Sequence, residues 1–372
     1  MGKRSDFPRR ERDYYPTPVS AVLPLIDHLP ARFSYIEPCA GDGALVRALY
    51  SFAGVAHDGT FRPSLEYASD VCPVVNEPNL RLFEAFSGFG GASFALKKAK
   101  IKHNTIGFSE SDKFAIDLYQ KNFPEVPNLG DITLIDPNNI PDFDLFTGGF
   151  PCQPFSQVGM GLGEQDTRGT LFHDIIRICE VKKPKHVLLE NVKGLKTNRH
   201  GDTFRTIVKK LHDIGYDVTA EVLNSKDYGI PQNRERVWIY GYRGQLPLTF
   251  SLTPEKEKLE IKFKDMLDET PDPKLFLSQD QIVRLKELYG LDFIVSEPSC
   301  VDLYNKNIRK DDISITILEP HHNKMRIAHK PKGTELRVRK YSIQEHFRLM
   351  GFKDGEIDFN NQSYQQLCKR AA

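Results

Sequence analysis

Between residues 79 and 245, short apolar, β-rich runs alternate with amphipathic helical runs, and this alternation restricts the fold more than any other feature. LRLFEAF (80–86), NTIGFSE (104–110), FDLFTGG (143–149), HVLLENV (186–192) and RVWIYGYR (236–243) read as strands. GGASFALKKA (90–99), DKFAIDLYQKNF (112–123), LFHDIIRICEVKK (171–183) and TFRTIVKKLHDIGY (203–216) read as helices between them. Short apolar strands separated by helices imply an α/β fold with a parallel sheet covered on both faces. In such sheets a ligand binds beyond the carboxyl ends of the strands.

The chain has 372 residues, and at roughly 100–200 residues per domain two or three domains are expected. With 40% hydrophobic residues it can bury a sizeable core, which excludes global disorder. A net charge of +1 excludes a uniformly basic coat, so any nucleic-acid surface has to be a local patch. Six scattered cysteines without a C-x-x-C pair argue against a disulfide framework or structural zinc, and a cytoplasmic protein is expected. His321-His322 has no cysteine or acid at metal-ligand spacing, so no metal is expected. The N-terminus is charged and no apolar run approaches membrane length, so no membrane association is expected.

Candidate site residues fall at the strand ends. The first strand runs into Phe86-Ser87-Gly88-Phe89-Gly90-Gly91, where glycines permit a tight turn and close approach of a ligand. Glu110 closes the next strand, where an acid can accept hydrogen bonds from ribose hydroxyls. Asp131-Ile132 could meet an adenine, the acid at its amino group and the isoleucine on its face, although a turn cap reads equally well there. Cys152 lies in Gly149-Phe150-Pro151-Cys152-Gln153-Pro154, a loop that two prolines stiffen, and such a place suits reactivity better than core packing. Glu190 ends a strand and could donate a proton to a ring nitrogen, or cap a helix. Arg234 and Arg236, two apart, would bring fixed positive charge to one side of a strand, or form a solvated pair.

These motifs resemble the DNA cytosine-5 methyltransferases over about residues 79–352. The likeness rests on Phe-x-Gly-x-Gly-Gly at 86–91, Gly-Phe-Pro-Cys-Gln at 149–153, Glu-Asn-Val at 190–192, Gln-x-Arg-x-Arg at 232–236, and Arg339-Lys340 leading to Arg348-Leu349-Met350-Gly351-Phe352. The resemblance implies a Rossmann-like S-adenosylmethionine-dependent methyltransferase domain at 79–245. It further implies a smaller, irregular target-recognition domain at 246–337, and a C-terminal segment at 338–372 that returns to the catalytic domain. It also implies a catalytic set of Cys152, Glu190, Arg234 and Arg236. Phe86, Gly88, Gly90, Gly91, Glu110, Ser111, Asp131, Ile132 and Pro151 would line the cofactor pocket, with Ser111 where a bulkier residue often stacks on the adenine. Gln153, Ser156, Gln232, Lys324, Arg326 and Arg339 would contact a specific double-stranded DNA site from which the target cytosine is flipped. A monomer working beside a cognate restriction endonuclease, or a phage-type modification enzyme, would fit.

Two departures qualify this reading. The family continues past the late helix into a Gly-Asn segment, where this sequence reads Leu367-Cys368-Lys369-Arg370, so a truncated C-terminus is expected. Residues 1–78 form an extension in which Ile36-Glu37-Pro38-Cys39-Ala40-Gly41-Asp42-Gly43 resembles the start of an adenine-N6 methyltransferase. No Asp- or Asn-Pro-Pro-aromatic tetrapeptide accompanies it, so a partial remnant is expected. A catalytically silent DNA-binding remnant and an RNA cytosine-5 methyltransferase remain the alternatives.

Overall fold

The computed structural model describes residues 79–151, 171–196, 201–247, 250–291, 293, 295–317 and 325–371. The chain divides at Glu77 and Pro78 into two compact units, and every described residue belongs to the second. The extension and its adenine-methyltransferase-like motif therefore lie outside the described residues.

In chain order the strands are β1 (Leu80–Ala85), β2 (His103–Ser109), β3 (Leu145–Gly149), β4 (His186–Val192), β5 (Tyr216–Asn224), β6 (Gln232–Asn233), β7 (Glu235–Arg243), β8 (Ser299–Asp302), β9 (Asn307–Ile308), β10 (Ser314–Ile315), β11 (Met325–His329) and β12 (Arg337–Arg339). The α-helices are α1 (Gly91–Lys98), α2 (Lys113–Asn122), α3 (Leu171–Lys182), α4 (Gly201–Asp213), α5 (Gln279–Tyr289), α6 (Ile343–Arg348) and α7 (Tyr364–Ala371). Every strand and helix expected between 79 and 245 is present.

Six strands form one sheet in the order β2-β1-β3-β4-β7-β5. The first four are parallel, as expected. The other two correct the expectation of an all-parallel sheet: β7 runs antiparallel to both β4 and β5. The cause is the connection. Residues 225–234 join β5 to β7 without a crossover helix, and a short return of that kind gives antiparallel neighbours. Strand order reverses between β1 and β3, so the ligand-binding crevice of such a fold is expected at their carboxyl ends.

Side chains of β1 alternate between the two faces. Phe83 and Ala85 join the cluster built with Phe146, Val187, Leu189 and Ile239 of the sheet. Phe172, Ile175, Ile178 and Cys179 of α3 close that cluster, their spacing making one helical stripe. Each such fully buried large apolar side chain contributes about 1.5–3 kcal/mol relative to exposure. The opposite face of β1 carries Glu84, which meets α1 and α2 through Ser93 and Tyr119.

Beyond residue 246 the expected irregular region contains a four-stranded sheet in the order β12-β11-β8-β9, antiparallel throughout. Val301, Ala328 and Val338 pack on one face with Ile282 and Leu285 of α5. Cys300 and Ile327 pack on the other with Phe263 and Tyr341. Helix α5 starts with a Ser278/Gln281 capping box and stops at left-handed Gly290. The C-terminal residues come back to the first glycine turn, where the Phe89 ring meets Phe347 at 5.6 Å and Phe94 meets Phe352 at 5.2 Å.

Candidate active site

The glycine turn after β1 is shaped by its backbone. Phe86, Gly88 and Gly90 all have positive φ, at 51°, 57° and 98°. A Cβ on Gly90 would come within 3.0 Å of the Tyr119 and Phe123 rings, whereas one on Gly88 would meet nothing within 4 Å. Gly90 is therefore needed for packing, and Gly88 keeps open space in front of the turn. Gly91 begins α1 and is exposed. Beneath the turn, buried Glu84 accepts hydrogen bonds from the Ala92 amide (2.8 Å), Ser93 Oγ (2.7 Å) and the Tyr119 hydroxyl (2.9 Å). Burial pushes the Glu84 carboxyl up, against the pull of its donors.

Glu110 spans the mouth of this turn. Its Oε2 accepts from the Gly88 amide at 3.0 Å, and its Oε1 from the Ser111 and Asp112 amides at 2.8 and 2.9 Å. Asn128 fixes the next edge, donating to the Glu110 carbonyl at 3.3 Å and accepting from the Gly130 amide at 3.0 Å. Asp131 Oδ1 accepts from the Thr133 amide and hydroxyl, which caps the turn that follows. Ile132 is buried in the main core cluster, and Ser111 is exposed. Open space before Gly88 and an oriented carboxylate at the crevice suit a nucleoside cofactor.

Strand β3 lies beside β1, so its carboxyl end stands next to the glycine turn. A Cβ on Gly148 would stand 3.4 Å from the Ala85 carbonyl and 3.5 Å from the Phe86 ring. Pro151 is exposed at the edge of the described residues. Cys152, Gln153 and Ser156 lie outside them, as do Lys324 and His321-His322. The approach to Cys152 is braced by a residue to which the sequence assigned no role: Asn191 Nδ2 donates to the Phe150 carbonyl at 2.8 Å.

Glu190 and Arg236 meet across the ends of β4 and β7. Arg236 Nε sits 2.7 Å from Glu190 Oε1, with both side chains largely buried. Glu190 Oε2 lies toward β3, 3.5 Å from where a Cβ of Gly149 would be. Arg234 precedes β7, and its amide donates to Asn224 Oδ1 at 3.2 Å. Burial, with Arg236 next to it, pulls the Arg234 guanidinium down to about 10.

Two residues expected to touch DNA have other work. Gln232 is 1% exposed, and its Nε2 donates to the Leu349 carbonyl at 3.0 Å. Arg339 is 5% exposed, and its two terminal nitrogens bond both oxygens of fully buried Glu345 at 2.8 and 2.6 Å. Both side chains join chain segments inside the protein. Arg326 is half-buried, with Nη1 donating to the Met325 carbonyl at 2.6 Å. Among the described residues no acid, histidine or cysteine cluster could hold a metal, and no helix is long and apolar enough to cross a membrane.

Comparison with known proteins decides the family. The family model for C-5 cytosine-specific DNA methylases matches residues 80–369. The chain belongs to that family. It is an S-adenosylmethionine-dependent DNA cytosine-5 methyltransferase. It is 38% identical over 295 residues to the type II methyltransferase M.NgoBI of Neisseria gonorrhoeae, covering 78% of this chain and 87% of the relative. The orphan methyltransferase M.Rho11sI of Bacillus phage rho11s is 36% identical over 238 residues, covering 56% of this chain and 47% of that one. The crystal structure of a Spodoptera frugiperda DNMT2 mutant shares the fold with a TM-score of 0.63 at 20% identity, covering 79% of this chain and 95% of that one.

Proposed function

We propose that this methyltransferase modifies cytosine through a covalent intermediate on Cys152, in a specific double-stranded DNA sequence. The observation that carries the reading is the Glu190–Arg236 pair at 2.7 Å beside Gly149, whose strand leads through Pro151 to Cys152. The Cys152 thiolate adds to C6 of the base, while Glu190 holds N3 and gives it a proton. Charge then does not accumulate on the ring, and C5 becomes an enamine carbon. S-adenosylmethionine supplies the methyl group as an electrophile. Loss of the C5 proton to water, return of the N3 proton to Glu190 and departure of the thiolate restore the aromatic ring and release 5-methylcytosine. Arg236 grips Glu190 Oε1 and so directs the carboxyl, and Arg234 and Arg236 together keep the thiolate in a positive environment. A base stacked in a duplex hides C6, so the target has to be flipped out, with Gln153 and Ser156 following it.

Phe86, Gly88, Gly90, Gly91, Glu110, Ser111, Asp131, Ile132 and Pro151 are proposed to form the cofactor pocket, with Glu110 accepting the ribose hydroxyls. Residues 79–245 would serve catalysis, 246–337 target recognition, and the segment from 338 would return to the catalytic part. Lys324 and Arg326 are retained as proposed DNA contacts. A monomer acting in the cytoplasm is expected. The type II and orphan relatives support two settings, one with a cognate restriction endonuclease and one without.

DNA carrying 5-fluorocytosine in its target sites tests the chemistry. Fluorine at C5 cannot leave as a proton, so the adduct should persist as a denaturant-resistant protein–DNA complex that forms only with S-adenosylmethionine. Cys152→Ala should give no complex while still binding DNA. A complex of equal yield from the variant would remove Cys152 from the nucleophile's role.

A further inference from the structure

Helix α2 is held at both ends by the C-terminal segment. At its far end Asn122 exchanges hydrogen bonds with the Asp358 backbone at 3.0 and 2.9 Å. At its start Gln362 Nε2 donates to the Phe114 carbonyl at 2.6 Å. The cap of the helix, Asp112, is where the contacts converge. Its Oδ1 accepts from the Phe114 and Ala115 amides, and its Oδ2 accepts from Lys369 Nζ at 2.9 Å and Arg370 Nη2 at 2.8 Å. Burial raises the Asp112 carboxyl, but the bonds from Lys369 and Arg370 outweigh it and hold the group well below the usual carboxylate range. The Arg370 side chain is only 8% exposed, so this is not a solvated surface pair.

The same residue belongs to the cofactor crevice. The Asp112 and Ser111 amides are two of the three backbone donors that orient Glu110, the third being the Gly88 amide. Moving Asp112 would therefore turn the Glu110 carboxylate at the mouth of the glycine turn. We infer that Asp112, gripped by Lys369 and Arg370, is a positioning residue for the cofactor: the ion pair ties the C-terminal helix to the orientation of Glu110, and hence to affinity for the nucleoside part of S-adenosylmethionine. The inference rests on the proposed role of Glu110 in that pocket. Asp112 itself touches no reacting atom, so cofactor affinity should respond and the chemical step should not.

The full chain and its Asp112→Asn, Arg370→Gln, Arg370→Lys and Glu110→Gln variants are compared by calorimetric titration with S-adenosylmethionine, steady-state kinetics and thermal unfolding. Asparagine caps a helix about as well as aspartate, so Asp112→Asn removes the ion pair and keeps the cap. Asp112→Asn and Arg370→Gln should each raise the cofactor Kd and KM roughly tenfold. The kcat at saturating cofactor and the KM for DNA should be unchanged, and Arg370→Lys should recover most of the affinity. A lowered unfolding temperature with an unchanged cofactor Kd in both variants would overturn the inference and leave a purely structural ion pair. If Glu110→Gln weakens the cofactor while the other variants do not, the inference fails and the reading of the pocket stands. If Glu110→Gln has no effect, the reading of the pocket falls, and with it the route through Glu110.

Discussion

At the carboxyl ends of the parallel strands, charged side chains are gathered at one rim: Glu110 over the glycine turn, and Glu190 with Arg236 beside Gly149. In the antiparallel sheet and the segment after it, charge joins chain to chain. Arg339 is bonded twice to Glu345, and Arg348 reaches both Asp268 at 2.8 Å and Asp354 at 2.6 Å. Glu345 also accepts from the Ser342 and Asp268 amides, so one buried carboxylate fixes β12, the start of α6 and the chain near Asp268. Arginines in the two regions thus meet the same kind of partner, and residue type alone does not separate the arginine proposed to serve catalysis from the structural one. Burial does: the Arg236 and Glu190 side chains are 16% and 28% exposed, those of Arg339 and Glu345 6% and 0%.

The largest effect is expected at Arg339. Arg339→Ala should cost about 3–5 kcal/mol of stability, because it leaves Glu345 buried and charged without its partner. Denaturant unfolding measures this, and the fraction still folded should bind DNA as the parent does. A normal unfolding midpoint with weakened DNA binding would put Arg339 back on the DNA surface. Next comes Glu190→Gln, which should lower the single-turnover methylation rate about 10²-fold while DNA affinity holds. Loss of affinity at an unchanged rate would contradict its place in the chemistry.

A smaller effect is expected at His346, which is fully buried. Its Nδ1 is 2.6 Å from the Ser342 carbonyl and its Nε2 is 4.0 Å from Cys368 Sγ. Burial lowers its pKa from 6.5, against the raising effects of Ser342 and Glu345. The unfolded chain then binds more protons between the folded value and 6.5, so stability is complete above 6.5 and falls as pH drops toward the folded value. His346→Gln should lose less stability than the parent between pH 7 and 5, and parallel curves would contradict this. The smallest change is expected at Arg309, whose partner Asp311 is half exposed. Arg309→Ala should shift unfolding by less than about 1 kcal/mol.

The strand-end motifs were legible because each combines a residue type with a turn that the fold requires. Gly90 cannot carry a Cβ against Tyr119 and Phe123, and Glu110 sits where its strand ends. Strand β5 escaped because its side chains are mostly half-buried and the segment shows no clean alternation. Strands β8 to β12 run for only two to five residues, too short for a period to register. Asn191, Asp112 and the Lys369–Arg370 pair act on groups distant in sequence, and nothing local announces such partners. The Arg339–Glu345 pair could have been suspected, since Ser342 and Glu345 have capping-box spacing and place the acid near the preceding arginine.

Methylation of cytosine at C5 is proposed to proceed by way of Cys152. The most direct measurement incubates the purified chain with unmethylated double-stranded DNA and S-adenosylmethionine, then digests the DNA and quantifies methylated nucleosides by mass spectrometry. The parent chain should yield 5-methylcytosine, and Cys152→Ala none above background. N6-methyladenine as the product, no methylation by the folded parent chain, or undiminished 5-methylcytosine from the variant would contradict this proposal.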